Sequence, residues 1–220
     1  MKILALEFSS DQRSVAVWFD GQVRGEASEQ GGRHTRAFHL IESALGVARI
    51  EREEIDVLCV GLGPGSYTGV RLALALVEGW QLARETRTLG VSSVEVLARQ
   101  AVRAGLTGPA NFVVDAQRGE FYLARYWIGG ANARLEDSLR ITTRAEVESR
   151  SAAGELVAGP DASRWFPGAR DFFPSAGMLA EVAATRSDFA PAGELTPVYL
   201  RETAFVKAPP PRIIPTGGGE

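Results

Sequence analysis

Residues that build the common catalytic centres are scarce here: the 220-residue chain has one cysteine and two histidines. A single cysteine excludes an internal disulfide. Cys59 falls in the apolar stretch 55–60, IDVLCV, where a thiol reads as a small buried side chain. His34 and His39 are five residues apart, which on a helix separates them by about 140°. Metal-binding pairs sit three or four residues apart on one face, so no bound metal and no other cofactor is expected. With its one cysteine in a strand and no paired histidine, a Cys–His nucleophile has no support. Neither sign of charge is in large excess: 24 Lys and Arg stand against 27 Asp and Glu, a net charge of −3. That argues against a broad basic face for nucleic acid on this chain alone. No run approaches the ~20 apolar residues of a membrane span. The start, MKILALEFSS, lacks the apolar core and cleavage site of a secretory leader. A cytoplasmic chain without a membrane partner is expected.

The familiar phosphate motifs are missing too, although one stretch imitates their setting. Residues 61–80, GLGPGSYTGVRLALALVEGW, follow an apolar strand and run into an apolar helix. A P-loop needs a Gly-Lys pair, and here Gly69 precedes Val70 and Arg71. The dinucleotide fingerprint fails at its third glycine, which is Ser66. Residues around Ser66 do not form the G-x-S-x-G elbow of hydrolases either. Two readings stay open for the loop. Its N–H groups and Ser66 or Thr68 suit an anion at a helix start, and its glycines equally suit a tight turn and close packing.

What is present is a regular order of elements. Strands are expected at 3–8, 14–19 and 22–27, with Asp20-Gly21 as the hairpin turn between the last two. A helix follows over 35–49, with Phe38, Ile41, Ala44, Leu45 and Ala48 at three- and four-residue steps. Strand 55–60, the glycine loop, helix 69–85 and strand 87–91 come next, then a helix opened by a capping box from Ser92 to Glu95. After Gly105–Pro109 the order restarts. Strands at 111–116, 120–128 and 134–141 precede a helix at 143–150 capped by Thr143, strand 155–159 and a helix at 176–186. Two three-strand meanders with crossover helices form the α/β layout of the actin, sugar-kinase and Hsp70 class. The expected lobes are 1–105 and 106–206, with a proline- and glycine-rich tail, 207–220, read as disordered.

In such a fold the ends of the first strands face a cleft, which makes Glu7 and Asp115 candidates for handling metal and phosphate. The alternative is that each is a polar residue ending a strand at the surface. Helix 69–85 carries apolar residues nearly all round, from Val70 to Trp80, interrupted by Arg71, Glu78, Gln81 and Arg84. A sheet covers one side of such a helix, and a neighbouring helix or another protein must cover the rest.

GLGPGSYTGVR at 61–71, GRHTR at 32–36, VVDAQRGEFYLARY at 113–126 and PVYLR at 197–201 resemble the TsaB family of the TsaB/TsaD superfamily. The resemblance spans almost the whole chain to about residue 207. It implies the two-lobe actin-like fold and a role in placing threonylcarbamoyl on the adenosine beside the anticodon of tRNAs reading codons that begin with A. It also implies a non-catalytic partner of a TsaD-type transferase, joined by a TsaE-type ATPase and reaching tRNA through the complex. One departure stands out: family members commonly have Asp-Thr where this chain has Glu7-Phe8, which weakens nucleotide binding by the chain alone. Under this reading Phe38, Ile41, Leu45, Val70, Leu74 and Val77 are the expected partner surface, with a second copy as the occupant when the transferase is absent. The competing expectation is an actin-like ATPase or small-molecule kinase that uses Glu7 and Asp115 around magnesium.

Overall fold

The computed structural model describes residues 1–31 and 35–200. His34 and the tail 207–220 lie outside the described residues. The first lobe is a five-stranded mixed sheet of β1 (Ile3–Glu7), β2 (Gln12–Phe19), β3 (Gln22–Gln30), β4 (Val57–Gly61) and β5 (Arg87–Val91) in the order β3-β2-β1-β4-β5. β1 pairs antiparallel with β2 and parallel with β4. All five residues of β1 are buried, as befits a central strand covered on both faces. Asp20 and Gly21 both take positive φ, the conformation that a two-residue hairpin joining twisted strands requires.

The second lobe repeats this plan. β6 (Gly108–Asp115), β7 (Glu120–Gly129), β8 (Asn132–Thr143), β9 (Leu156–Gly159) and β10 (Arg170–Asp171) lie in the order β8-β7-β6-β9-β10, the first lobe's order renumbered. The topological repeat expected from the sequence is present. In the first lobe α1 (Ala37–Ala48) joins β3 to β4, and α2 (Tyr67–Ala83) joins β4 to β5. In the second, α4 (Arg144–Ala152) takes the place of α1, while a single 3-10 turn at Ala162–Arg164 takes the place of α2.

The last helix of each half crosses over. α3 (Ser93–Arg103) follows β5 yet packs Val94, Leu97 and Ala98 on Phe112, Ala124 and Tyr126 of the second sheet. α5 (Ala176–Ala183) follows the second sheet yet packs Leu179 and Ala180 on Ile3, Ala5, Ala16 and Cys59 of the first. A boundary at 105/106 therefore divides the two sheets but not the packing, and the expectation that helix 176–186 completes the second unit is corrected. Residues 190–199 stay with the first lobe. Val198 N–H donates to the Leu62 carbonyl at 2.9 Å, and Ala192 is buried beside α2.

Caps follow the sequence in part. The Thr143 hydroxyl accepts the Glu146 N–H as expected. The Ser92 side chain does not cap α3; its hydroxyl points to the Gly63 carbonyl at 3.4 Å, so the expected capping box is not formed. Among the described residues no helix is long and apolar enough to cross a membrane.

Candidate functional site

The glycine loop closes on its own chain. A Cβ on Gly65 would run into the Ser9 carbonyl, and one on Gly69 into the Phe8 carbonyl. Ser66 N–H donates to the Ser9 carbonyl at 2.7 Å, and the Ser66 hydroxyl accepts the Gly69 N–H to cap α2. The glycines thus let the loop lie against the β1–β2 hairpin, where a phosphate-binding loop would keep its N–H groups open. Phe8 is fully buried in the core beneath.

Glu7 is fully buried, so the reading that placed it in an open cleft is corrected. Its Oε1 accepts the Ser9 N–H at 2.8 Å, and its Oε2 accepts the Ser93 hydroxyl at 2.9 Å. Ser93 in turn accepts the Gly63 N–H at 3.2 Å. Gly61 is required beside it, because a Cβ there would overlap the carboxylate. Burial raises the Glu7 pKa, opposed by the hydrogen bonds from Ser9 and Ser93. Asp115 is exposed and accepts the Gln117 N–H at 2.7 Å. Neither carboxylate belongs to a metal-holding group among the described residues. His39 lies exposed on α1.

The six residues assigned to the partner surface divide. Leu45 is buried in the first lobe's own core and Val70 is buried too, away from the groove between α1 and α2, so their assignment to a partner is corrected. Ile41 and Val77 are also buried in that core, but both line the groove. Each such burial contributes about 1.5–3 kcal/mol to the lobe itself. Phe38 is 73% exposed, and Leu74 is half-buried. The apolar circumference of α2 is only partly explained by the sheet. Ala73 and Val77 pack into the core on it, Val70 is buried beside the Gly63 turn, and residues 190–199, unforeseen from the sequence, cover one flank. Ala192 N–H donates to Gln81 Oε1 at 2.7 Å, Leu195 packs on the same core, and the Tyr199 hydroxyl accepts from Arg71 Nε at 3.2 Å.

The other flank stays open. Between α1 and α2 runs a groove of about 520 Å³ whose floor reaches Leu6 and Leu58 of the sheet. Phe38 and Ile41 line its α1 side, and Leu76 and Trp80 its α2 side. Small exposed residues, Ala75, Gly79 and Ala83, form its rim on α2. Nothing stands within 4 Å of a Cβ built on Gly79. Leu82, one residue before Ala83, is 89% exposed.

Two sheets of identical strand order, exchanging their last helices, define an actin-like two-lobe α/β protein, here with the first lobe's glycine loop filled by its own backbone. A family model described as TsaD, tRNA N6-adenosine threonylcarbamoyltransferase, matches residues 26–162. The protein TsaB of Escherichia coli strain K12, a tRNA threonylcarbamoyladenosine biosynthesis protein, is 33% identical over 127 residues, covering 57% of this chain and 55% of that protein. The protein of the same name from Bacillus subtilis strain 168 is 30% identical over 129 residues, with the same two coverages. The chain thus spans 55% of the length of each of these curated relatives. The solved structure of YeaZ from Pseudomonas aeruginosa superposes with a TM-score of 0.76 at 26% identity, covering 90% of this chain and 99% of that one. A second Pseudomonas aeruginosa structure, of a protein described as similar to peptidase YeaZ, gives 0.77 at 27% identity, covering 91% and 99%. The chain belongs to the TsaD family, and the Escherichia coli and Bacillus subtilis relatives it resembles are TsaB proteins.

Proposed function

We propose that this chain is a non-catalytic assembly partner of a TsaD-type transferase in forming threonylcarbamoyladenosine beside the anticodon of tRNAs reading codons that begin with A. The observation that carries the reading is the open groove between α1 and α2, with its apolar floor and the exposed Phe38 on its α1 side. An apolar face of this kind on a small lobe suits a partner protein. The names of the Escherichia coli and Bacillus subtilis relatives support the pathway. The glycine loop, packed against Phe8 and Ser9, supports a scaffold role over nucleotide chemistry by this chain. A TsaE-type ATPase joins the pair and tRNA is reached through the complex, in the cytoplasm. Without the transferase, a second copy of the chain takes the groove.

The test is co-purification of the full chain with a TsaD-type protein, in wild type and in Phe38→Glu and Ala75→Arg variants. Both positions are exposed, so the variants fold. A charge held in an apolar interface loses hydration at a cost of several kcal/mol, so pairing and reconstituted tRNA modification fall together. Folded variants that still pair with unchanged affinity would show that the groove is not the docking surface.

A further inference from the structure

The two lobes hold equivalent helices in different ways. α1 buries Ala37, Leu40, Ile41, Ala44 and Leu45. It lies so close to its sheet that a Cβ on Gly25 of β3 would run into the Ala44 carbonyl. α4, in the same place in the second lobe, buries Val147 alone. It packs on β8 and β9, and the sheet beneath is apolar. Val113, Leu123 and Val157 are fully buried there, in one cluster with Phe121 and Val147.

The rest of the attachment of α4 is polar. Glu146 accepts from Arg140 Nη1 at 3.0 Å and from the Thr142 hydroxyl, both on β8. Arg150 donates to Asp137 of β8 at 3.0 Å and to Asn111 Oδ1 of β6 at 3.2 Å, and a Glu155 oxygen stands 4.0 Å from it. Arg144 donates to the Trp165 carbonyl at 2.9 Å. Water reaches these pairs, since the Glu146 side chain is 34% exposed and that of Asp137 43%. Such pairs contribute little each and weaken with salt. Both ends of the helix leave it room to turn. β8 runs straight into α4 at Thr143. At the far end Gly154 takes φ +81, with nothing within 4 Å of a Cβ built on it.

We propose that α4 is a hinged cover, latched by charge, over an apolar strip of the second sheet formed by Val113, Leu123 and Val157. It swings about Thr143 and Gly154 while the strands keep their ladder, a local opening and not an unfolding of the lobe. Arg125 keeps Glu155 at 2.7 Å, and Glu136 beside it, without any contribution from α4. Phe166, from the turn after β9, also stays on the cluster. Ionic strength sets the balance, because screening Arg140–Glu146 and Arg150–Asp137 favours the open form. The α1–α2 groove lies on the other lobe and takes no part.

The experiment is hydrogen exchange of the full chain, read on peptides from α4, α1 and β6, between about 0.05 and about 1 M sodium chloride. The α4 amides exchange at least about tenfold faster than those of β6. Salt speeds them about threefold and leaves α1 unchanged, because α1 is held by apolar packing. Arg150→Gln speeds α4 about fivefold, with melting of the first lobe unaltered. Alkylation of a Val157→Cys variant follows the same salt dependence, while Cys59, buried in the first lobe, serves as the control thiol. The cover is overturned if α4 exchanges no faster than β6, or fails to respond to salt or to Arg150→Gln. It is overturned too if the thiol at position 157 reacts no faster than Cys59. Should Arg150→Gln not fold, Arg140→Gln carries the comparison; if neither folds, the pairs hold the whole lobe together and there is no separate cover.

Discussion

Glu7 and Asp115 end the first strands of the two lobes in the same way. Each carboxylate accepts the N–H two residues further on, Ser9 at 2.8 Å and Gln117 at 2.7 Å. The local hydrogen bond is duplicated with the fold, but the surroundings are not. Asp115 is exposed, while Glu7 is sealed beneath Gly61 and the start of α3.

That difference predicts a pH dependence for Glu7. Burial raises its folded pKa above the ordinary 4.5, so the folded state holds the proton to higher pH than the unfolded state. Stability from this site is complete below the unfolded pKa and falls as pH rises through the folded one. Urea unfolding of wild type and Glu7→Gln across pH 4 to 8 should show the wild type losing ground to the variant as pH rises. Ser93→Ala removes a donor that favours the charged form and should steepen the loss. Parallel pH profiles for all three proteins would contradict this account.

How far this was legible in the sequence differs from residue to residue. The succession of elements along the chain and its duplication were readable because hairpin turns and apolar alternation are local signals, as at Asp20-Gly21. The burial of Glu7 was not, since it depends on Ser93, 86 positions away. On α1, Phe38, Ile41 and Leu45 share a helical stripe. Its centre, though, is set by Ala37, Leu40, Ile41 and Ala44, which leaves Phe38 at the edge. Residues 190–199 have no periodic pattern, so their cover over α2 gave no sequence signal.

The glycines of the loop and of the groove should respond oppositely to alanine. Gly65→Ala and Gly69→Ala each drive a methyl into a backbone carbonyl, of Ser9 and Phe8. Gly65 also has φ +150, in the range that side chains rarely adopt. Each should cost about 2–4 kcal/mol. Gly79→Ala meets open space in mid-helix and should stabilise by about 0.5–1 kcal/mol. Chemical denaturation of the three variants measures this. Destabilisation by Gly79→Ala would mean that the groove is closed in solution.

In the second lobe, acid should act first through Glu146. Arg140, Thr142 and Arg150 hydrogen-bond its carboxylate and hold its pKa at about 2. The folded value lies below the unfolded one, so the stabilisation is present above about 4.5 and is lost as pH falls towards about 2. The side chain is 34% exposed, and solvent screening keeps the effect to about 1 kcal/mol or less. Glu146→Gln should be the less stable protein at pH 7, with the gap closing below pH 4.5. A gap that stays constant down to pH 3 would show that the charge contributes nothing.

The two flanks of α2 should separate stability from partner binding. On one flank, residues 190–199 are tied to the lobe at four points. Ala190 N–H donates to the Thr88 carbonyl at 3.0 Å, and Ala192 N–H to Gln81 at 2.7 Å. Val198 N–H donates to the Leu62 carbonyl at 2.9 Å, and Tyr199 stacks on Tyr67 with ring centroids 5.4 Å apart beside Arg71. Ending the chain after Phe189 strips this cover and exposes the flank of α2 that Leu195 packs against. Melting should drop by about 5 °C or more, and an apolar dye should bind. On the groove flank, Phe38→Glu replaces a 73% exposed side chain and should leave melting unchanged while pairing with a TsaD-type protein is lost. A truncated chain that melts like the full one would mean that the sheet and α1 suffice to hold α2. A Phe38→Glu variant that melts several degrees lower would mean that Phe38 supports the lobe itself and not a partner.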